Sequence, residues 1–303
     1  MKVLMSSNAK LLPQDQVRSL AKRSDLWGAW LTFHVWALII GPIALFMLFP
    51  NVVTFLFAFF MVGSRQHGMA ILMHEAAHGI LFKSRKLNDF VGQYLLAAPY
   101  GGNMISYRHY HLKHHRYTQT NDDPDLPLAA KFPVSNASLK RKFFRDLTGQ
   151  TFIRLRLAGF KRSDMEGREA FKNNGPWTTI LINTALFGMF AVTGFWWAYF
   201  ALWMAPLMTW FMAVLRLRNI AEHAMTEEIS NPLRQARTTH ANPLARLFLS
   251  PYWVNYHIEH HAYMFVPCYR LKALHHALRG CGYSDEMILS PSYSHVLRAV
   301  STG

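Results

Sequence analysis

The sequence predicts an all-α integral membrane protein, with four transmembrane helices and a cytosolic histidine-rich helical cap. Three observations carry that expectation. First, residues Leu26–Ser64 and Asn173–Leu215 contain no Asp, Glu, Lys or Arg. Each stretch is long enough for two crossings at roughly 20 residues apiece. Second, 16 histidines stand in the chain, most of them clustered in the polar segments that adjoin these stretches. Third, the formal net charge is +15, yet only 16% of the 303 residues are charged and 51% are hydrophobic. That composition is too apolar for a disordered chain and poor in charge for a soluble one.

Taken in order, Met1–Asp25 is polar and basic and carries no cleavage-type signal segment. The first apolar stretch divides at Pro50-Asn51, with crossings expected near Trp30–Phe49 and Val52–Leu72. The second of these helices meets Arg65 early and is expected to run on past the membrane face, carrying His74 and His78 with it. Arg65 itself reads as a snorkelling interface residue. Asn88–Met104 is apolar but short and holds Pro99 and Gly101-Gly102, so it reads as interfacial or re-entrant. Lys131–Lys172 is basic with interleaved apolar residues. It is expected to be either a helix lying on an anionic membrane surface or one packed on the cytosolic part. The second apolar stretch divides at Thr193-Gly194, with crossings near Trp177–Val192 and Trp196–Leu215.

Four crossings place both termini on one side, and neither external hairpin carries Lys or Arg. The positive-inside rule makes the basic side cytoplasmic, the inner membrane if the source is bacterial. The charge is thereby explained without a nucleic-acid partner. The expected organisation is a single domain over 1–303. Its parts are a first helical hairpin at 26–72, a cytosolic or interfacial part at 88–172, a second hairpin at 173–215 and a cytosolic part at 216–303. Cys268 and Cys281 are too few for a disulfide framework or a thiolate metal site.

His74-Glu75-Ala76-Ala77-His78 places two histidines four apart on one helix face. Alone it matches H-E-x-x-H, in which the glutamate is the general base of a zinc peptidase. Three further clusters compete with that reading. His111, His114 and His115 stand at i, i+3 and i+4, and His257, His260 and His261 repeat the spacing. Asn219 and His223 are four apart just past the fourth expected crossing. These nine histidines, with Asn219 as a weaker tenth ligand acting through water, are too many for one ion and suit two. Imidazole serves zinc, copper, iron and nickel alike, so the donor type does not choose the metal. An all-histidine cage for two metals favours di-iron oxygen chemistry.

In these features the chain resembles the membrane fatty acid desaturase superfamily of desaturases, hydroxylases and carotenoid ketolases. The resemblance rests on the ordered HxxxH, HxxHH and HxxHH boxes with the Asn219–His223 element between the last two. Arg116, Asp123-Pro124-Asp125, Asn255-Tyr256, Pro267, Leu271 and Leu274 agree as local context, and the likeness runs from about Val52 to Leu278. It implies two iron ions held by His74, His78, His111, His114, His115, His223, His257, His260 and His261, with Asn219 reaching the metal through water. It implies dioxygen as co-substrate, a membrane lipid or acyl chain as substrate, and electrons from a separate ferredoxin, rubredoxin or cytochrome b5-type carrier. The expected reaction is acyl-lipid desaturation. A lipid or carotenoid hydroxylase or ketolase on the same site is the alternative, a membrane zinc peptidase using His74, Glu75 and His78 a remote one, and a non-catalytic metal-binding or transport protein a third class. Three residues, not four, separate the histidines of the first box, which leans away from the acyl-CoA branch.

The remaining polar residues have plainer expectations. Glu75 orients an imidazole or is an ordinary helix residue. Glu222 and Glu259 support a ligand or lie at the surface. Asp123 and Asp125 accept from ligand imidazoles or form a turn. His34 is a core histidine, and His67 and His109 support the boxes without ligating. His240, His275, His276 and His295 are expected in solvent. Arg116, Arg218 and Arg237 pair with carboxylates or a lipid headgroup, or stay at the surface.

Overall fold

The computed structural model describes residues 11–129, 131–161, 176–226 and 231–302. The chain begins with a short helix α1 (Gln14–Leu20) and a helical hairpin, α2 (Asp25–Leu48) and α3 (Val52–His78). The Ser24 hydroxyl caps α2 by accepting from Trp27 N. Leu31, Val35, Ile39, Ile43 and Phe46 are buried, while Leu26, Phe33, Ile40 and Leu48 are exposed. This period of about four puts one apolar face on α3 and leaves another apolar face outward, as lipid requires. Asn51 closes the hairpin: its side-chain oxygen accepts from Val53 N and Thr54 N, and its own N–H donates to the Thr54 hydroxyl.

Along α3 the environment changes. Val52 and Val53 are exposed, whereas every residue from Met61 to Met69 is buried. The helix stops at Gly79 (φ 73°), whose left-handed conformation lets Gly79 N and Ile80 N bond back to Ala76 and Glu75 carbonyls. As expected, α3 is one continuous helix that delivers His74 and His78 at its far end. Arg65, however, does not snorkel. It is 3% exposed and its guanidinium donates to the Leu247 carbonyl. A partner 182 residues away in sequence holds the charge inside.

The chain returns through α4 (Arg85–Phe90), a π-helical turn at Val91–Ala97 and a 3-10 turn at Ala98–Tyr100. These pieces pack on α3 and none has the length of a crossing. Gln93 accepts from Met104 N, and Trp36 Nε1 donates to the Leu95 carbonyl. Next come α5 (Met104–Tyr117), α6 (Asn136–Leu147) and α7 (Gln150–Lys161). The basic segment therefore forms two helices as far as Lys161, and the rest of Lys131–Lys172 lies outside the described residues. α6 packs on the protein: its buried Asp146 accepts from Arg216 and from the Thr151 hydroxyl. Phe144, Leu147, Ile153, Leu155 and Leu157 remain exposed.

The second apolar stretch forms α8 (Pro176–Val192), a turn at Gly194 and α9 (Trp196–His223). α9 contains a π segment at Tyr199–Met204 and a break at Thr209. Among the described residues three helices, α2, α3 and α9, are long and apolar enough to cross a membrane, while α8 is apolar but only 17 residues long. α9 runs past the expected end at Leu215 and carries His223 on its last turn.

α3 and α9 pack closely. A Cβ at Gly63 would lie 2.9 Å from Trp210 Cδ1 and 3.2 Å from Pro206 Cβ. Such small residues permit close helix approach where no hydrophobic drive exists. Gln66 Nε2 donates to the Trp203 carbonyl at 2.8 Å and Trp210 Nε1 to Ser64 at 2.9 Å, which fixes the register of the pair. The C-terminal part adds α10 (Pro243–Phe248), α11 (His257–Ala262), α12 (Leu271–Gly280) and α13 (Tyr293–Ala299).

The fold is mostly helical but not purely so. Val134–Ser135 pairs with Ser301–Thr302 and Thr238–Thr239 with Leu289–Ser290, both in parallel. Two-residue strands have no side-chain period to reveal them. Their backbone bonds tie the C-terminal segment to the body.

Candidate metal centre

The centre forms where α3, α5, α9 and α11 end together. α3 presents His74 and His78 one turn apart, and α5 presents His111, His114 and His115 from a helix capped by Asn103, which accepts from Ser106 N. α9 contributes His223. α11 contributes His257, His260 and His261 from a helix of only six residues.

All nine histidines predicted from the sequence come together, in two adjoining groups. His74, His78, His111, His115 and His260 form the first, with ligand nitrogens within 4.8 Å of one another. His114, His223 and His261 form the second, and His257 joins it through His223 and His261. The groups touch where His115 stacks on His261, with ring centroids 4.4 Å apart.

The nitrogens face one another. Nε2 of His115 lies 2.9 Å from Nε2 of His111 and 3.0 Å from Nε2 of His260. Nε2 of His257 lies 2.9 Å from that of His223 and 3.2 Å from that of His261. Neighbouring donors at right angles around an ion with bonds of about 2.0–2.1 Å would be separated by about 3 Å. Nε2 of His74 and of His78 are buried with no hydrogen-bond partner in the protein. A buried polar atom without a partner costs stability, so these atoms suit a metal.

Burial holds His111, His115, His257, His260 and His261 well below the ordinary histidine value of 6.5, and the charge of the neighbouring imidazoles adds to it. The rings are therefore neutral at physiological pH, the form that binds a metal.

The outward nitrogens are held by the protein. His114 Nδ1 meets Asp123 Oδ1 at 2.8 Å, and His223 Nδ1 meets the Gln235 carbonyl at 3.3 Å. Burial alone would raise the Asp123 carboxyl. The bond to His114 and the N–H groups of Asp125 and Gln119 outweigh that and hold it below its ordinary 3.8. Asp123 is thus both imidazole partner and turn former. Glu259 is fully buried, accepting from Thr238 Oγ1 at 2.6 Å and meeting His275 Nδ1 at 2.5 Å.

Several expectations are corrected here. His275 is buried rather than in solvent, because Glu259 holds it. His109 is exposed. Of the two places expected for Glu222, the structure shows the inner one: it is buried, bonded to Arg218 at 2.6 Å and 3.5 Å from His257. Arg237 caps the end of α9 by donating to the Ala221 and Ala224 carbonyls.

Other placements agree with the sequence. His34 is half-buried and bonds Tyr252 through Nδ1. His67 is buried seven residues before His74. His240, His276, His295 and Arg116 are exposed. Asn219 sits one turn before His223, half-buried, and its amide bonds no described residue. Tyr107, which the sequence reading missed, stacks on His111 with centroids 5.1 Å apart. Its place four residues before His111 on α5 was the available signal.

Glu75 does not stand free as a base. Its Oε2 accepts from Cys268 N at 2.7 Å, and Oε1 lies 3.5 Å from His74 Nδ1. It ties α3 to the segment after the third box.

A family model described as fatty acid desaturase matches residues 50–289, which include every residue of both groups. The chain belongs to the fatty acid desaturase family. This desaturase-family chain is 24% identical over 247 residues to dihydrorhizobitoxine desaturase of Bradyrhizobium elkanii, covering 75% of this chain and 68% of that protein. It is 23% identical over 233 residues to sn-1 oleoyl-lipid 12-desaturase of Synechocystis, covering 72% of this chain and 66% of that protein. The chain therefore spans about two thirds of the length of these relatives. Family membership makes it an oxidoreductase, and its three long apolar helices agree with a membrane protein.

Proposed function

We propose that this chain is a membrane di-iron oxygenase that introduces a double bond into the acyl chain of a lipid. The observation that carries the reading is the pair of adjoining imidazole groups with inward Nε2 atoms, in a chain of the fatty acid desaturase family. His74, His78, His111, His115 and His260 would hold one iron. His114, His223, His257 and His261 would hold the other, with Asn219 acting through water. When bound, the two irons supply dioxygen activation: an acyl CH2–CH2 unit loses two hydrogens, the carrier gives two electrons, two protons are taken up, and dioxygen leaves as two waters.

The protein's own residues set the conditions. Burial of the centre keeps bulk water off it and holds His111, His115, His257, His260 and His261 neutral. Asp123 and the Gln235 carbonyl fix the rings of His114 and His223. The helices that carry the first box and His223 are also apolar enough to meet the lipid that contains the substrate. In this reading α8 makes the fourth crossing at about 26 Å of length, and the termini and the histidine cap face the cytosol. The basic charge belongs to that side rather than to nucleic acid. Electrons come from a separate ferredoxin, rubredoxin or cytochrome b5-type carrier.

Lipid profiling tests the reading. A host expressing the chain should accumulate acyl species lighter by two hydrogens, and a host expressing His261→Ala should not. Products heavier by one oxygen would move the assignment to hydroxylation, and identical profiles in the two hosts would overturn it.

A further inference from the structure

The ring nitrogens of the centre divide by direction. Where two ligand rings approach each other, they do so through Nε2. Where the protein orients a ring, it does so at Nδ1: Asp123 on His114, the Gln235 carbonyl on His223 and Glu75 beside His74. A carboxylate that only orients a ligand therefore meets Nδ1.

Glu222 breaks the pattern. Its Oε2 lies 3.5 Å from Nε2 of His257, the same atom that faces His223 at 2.9 Å and His261 at 3.2 Å. Glu222, His223 and His257 bring their ligand atoms within 4.8 Å of one another. The carboxylate is buried, and its other oxygen, Oε1, accepts from Arg218 Nε at 2.6 Å.

We propose that Glu222 is a further direct metal ligand, through Oε2, at the group formed by His114, His223, His257 and His261. The inference rests on the two-metal reading above. It makes the two sites differ in donor type as well as number: five imidazoles at one, and four imidazoles with a carboxylate, beside Asn219 acting through water, at the other. Arg218 then has a defined task. It holds the carboxylate's second oxygen and offsets its charge, leaving Oε2 turned inward. A carboxylate oxygen is a harder donor than imidazole, so the second site differs from the first in ligand field.

The test is a cobalt(II) titration of the full-length, metal-free protein in detergent, read by equilibrium binding and by visible absorption. The wild type should take up two ions. E222Q should keep one at wild-type affinity and bind the second at least tenfold more weakly, with a changed spectrum, since even supporting partners of a ligand alter metal affinity by about 10–100-fold. E222D, which keeps a carboxylate, should recover the second ion. Uptake of two ions by E222Q with the wild-type affinities and spectrum would overturn the inference. So would loss of both ions by E222Q and E222D alike, which marks a role in folding. A wild type that binds fewer than two ions would overturn the two-metal reading itself, and this inference with it.

Discussion

Nδ1 of His114 lies 2.8 Å from Oδ1 of Asp123, and both side chains are buried. The same carboxylate accepts from Gln119 N and Asp125 N, so one acid fixes a ring of the second box and the turn that follows it. Asp123→Ala should therefore cost metal as well as stability. We expect iron affinity to fall by about 10–100-fold and stability by about 1–3 kcal/mol, from the donors left unpaired. Asp123→Asn, which keeps one acceptor oxygen, should be milder. Iron content and thermal unfolding of the purified variants check both effects.

Asp146 is fully buried and pairs with Arg216, whose side chain is 23% exposed. Removing one partner of a buried pair costs about 3–5 kcal/mol, and the partial exposure of Arg216 puts Asp146→Ala near the lower end of that range. The variant should unfold at a clearly lower temperature and keep its metal content while folded. An unchanged unfolding temperature would show that α6 is not anchored to α9 through this pair.

Glu75 serves as a tether in this structure, holding Cys268 N at 2.7 Å. Glu75→Gln retains an acceptor and should keep both metals and most desaturation. Loss of all activity with retained metal would be the signature of a general base, and would revive the peptidase reading of the first box.

The metal-free protein should show a pH dependence of defined sign. Burial lowers His111, His115, His257, His260 and His261 well below 6.5 in the folded state. Above pH 6.5 the folded and unfolded chains both hold these rings neutral, and they add no slope. As pH falls below 6.5 the unfolded chain takes up protons that the folded chain cannot, so stability drops until the lowered folded values are reached. His257→Gln removes one such ring, so the stability that the metal-free protein loses as pH falls below 6.5 should be smaller in this variant than in the wild type. An equal loss in the two proteins, read from their unfolding midpoints, would contradict a neutral, buried imidazole at that position.

The nine histidines and the helices that carry them were legible because both signals are local. One-face spacing of four residues needs no knowledge of the fold, and an uncharged run announces a helix in lipid. The burial of Arg65 was not legible, because its partner, the Leu247 carbonyl, lies far off in sequence and is backbone. His275 was misread for the same reason: Glu259 holds it only once α11 and α12 pack together. The inward turn of Glu222 depends on His257 arriving from another helix. Spacing finds which residues share a face, whereas tertiary packing decides which atom of each ring points inward.

The central claim is most directly tested by metal analysis of the detergent-purified protein, measuring iron and zinc per chain together. The account predicts about two irons, lost together in His78→Ala/His261→Ala, which removes one imidazole from each group. A single zinc per chain with no iron would contradict it.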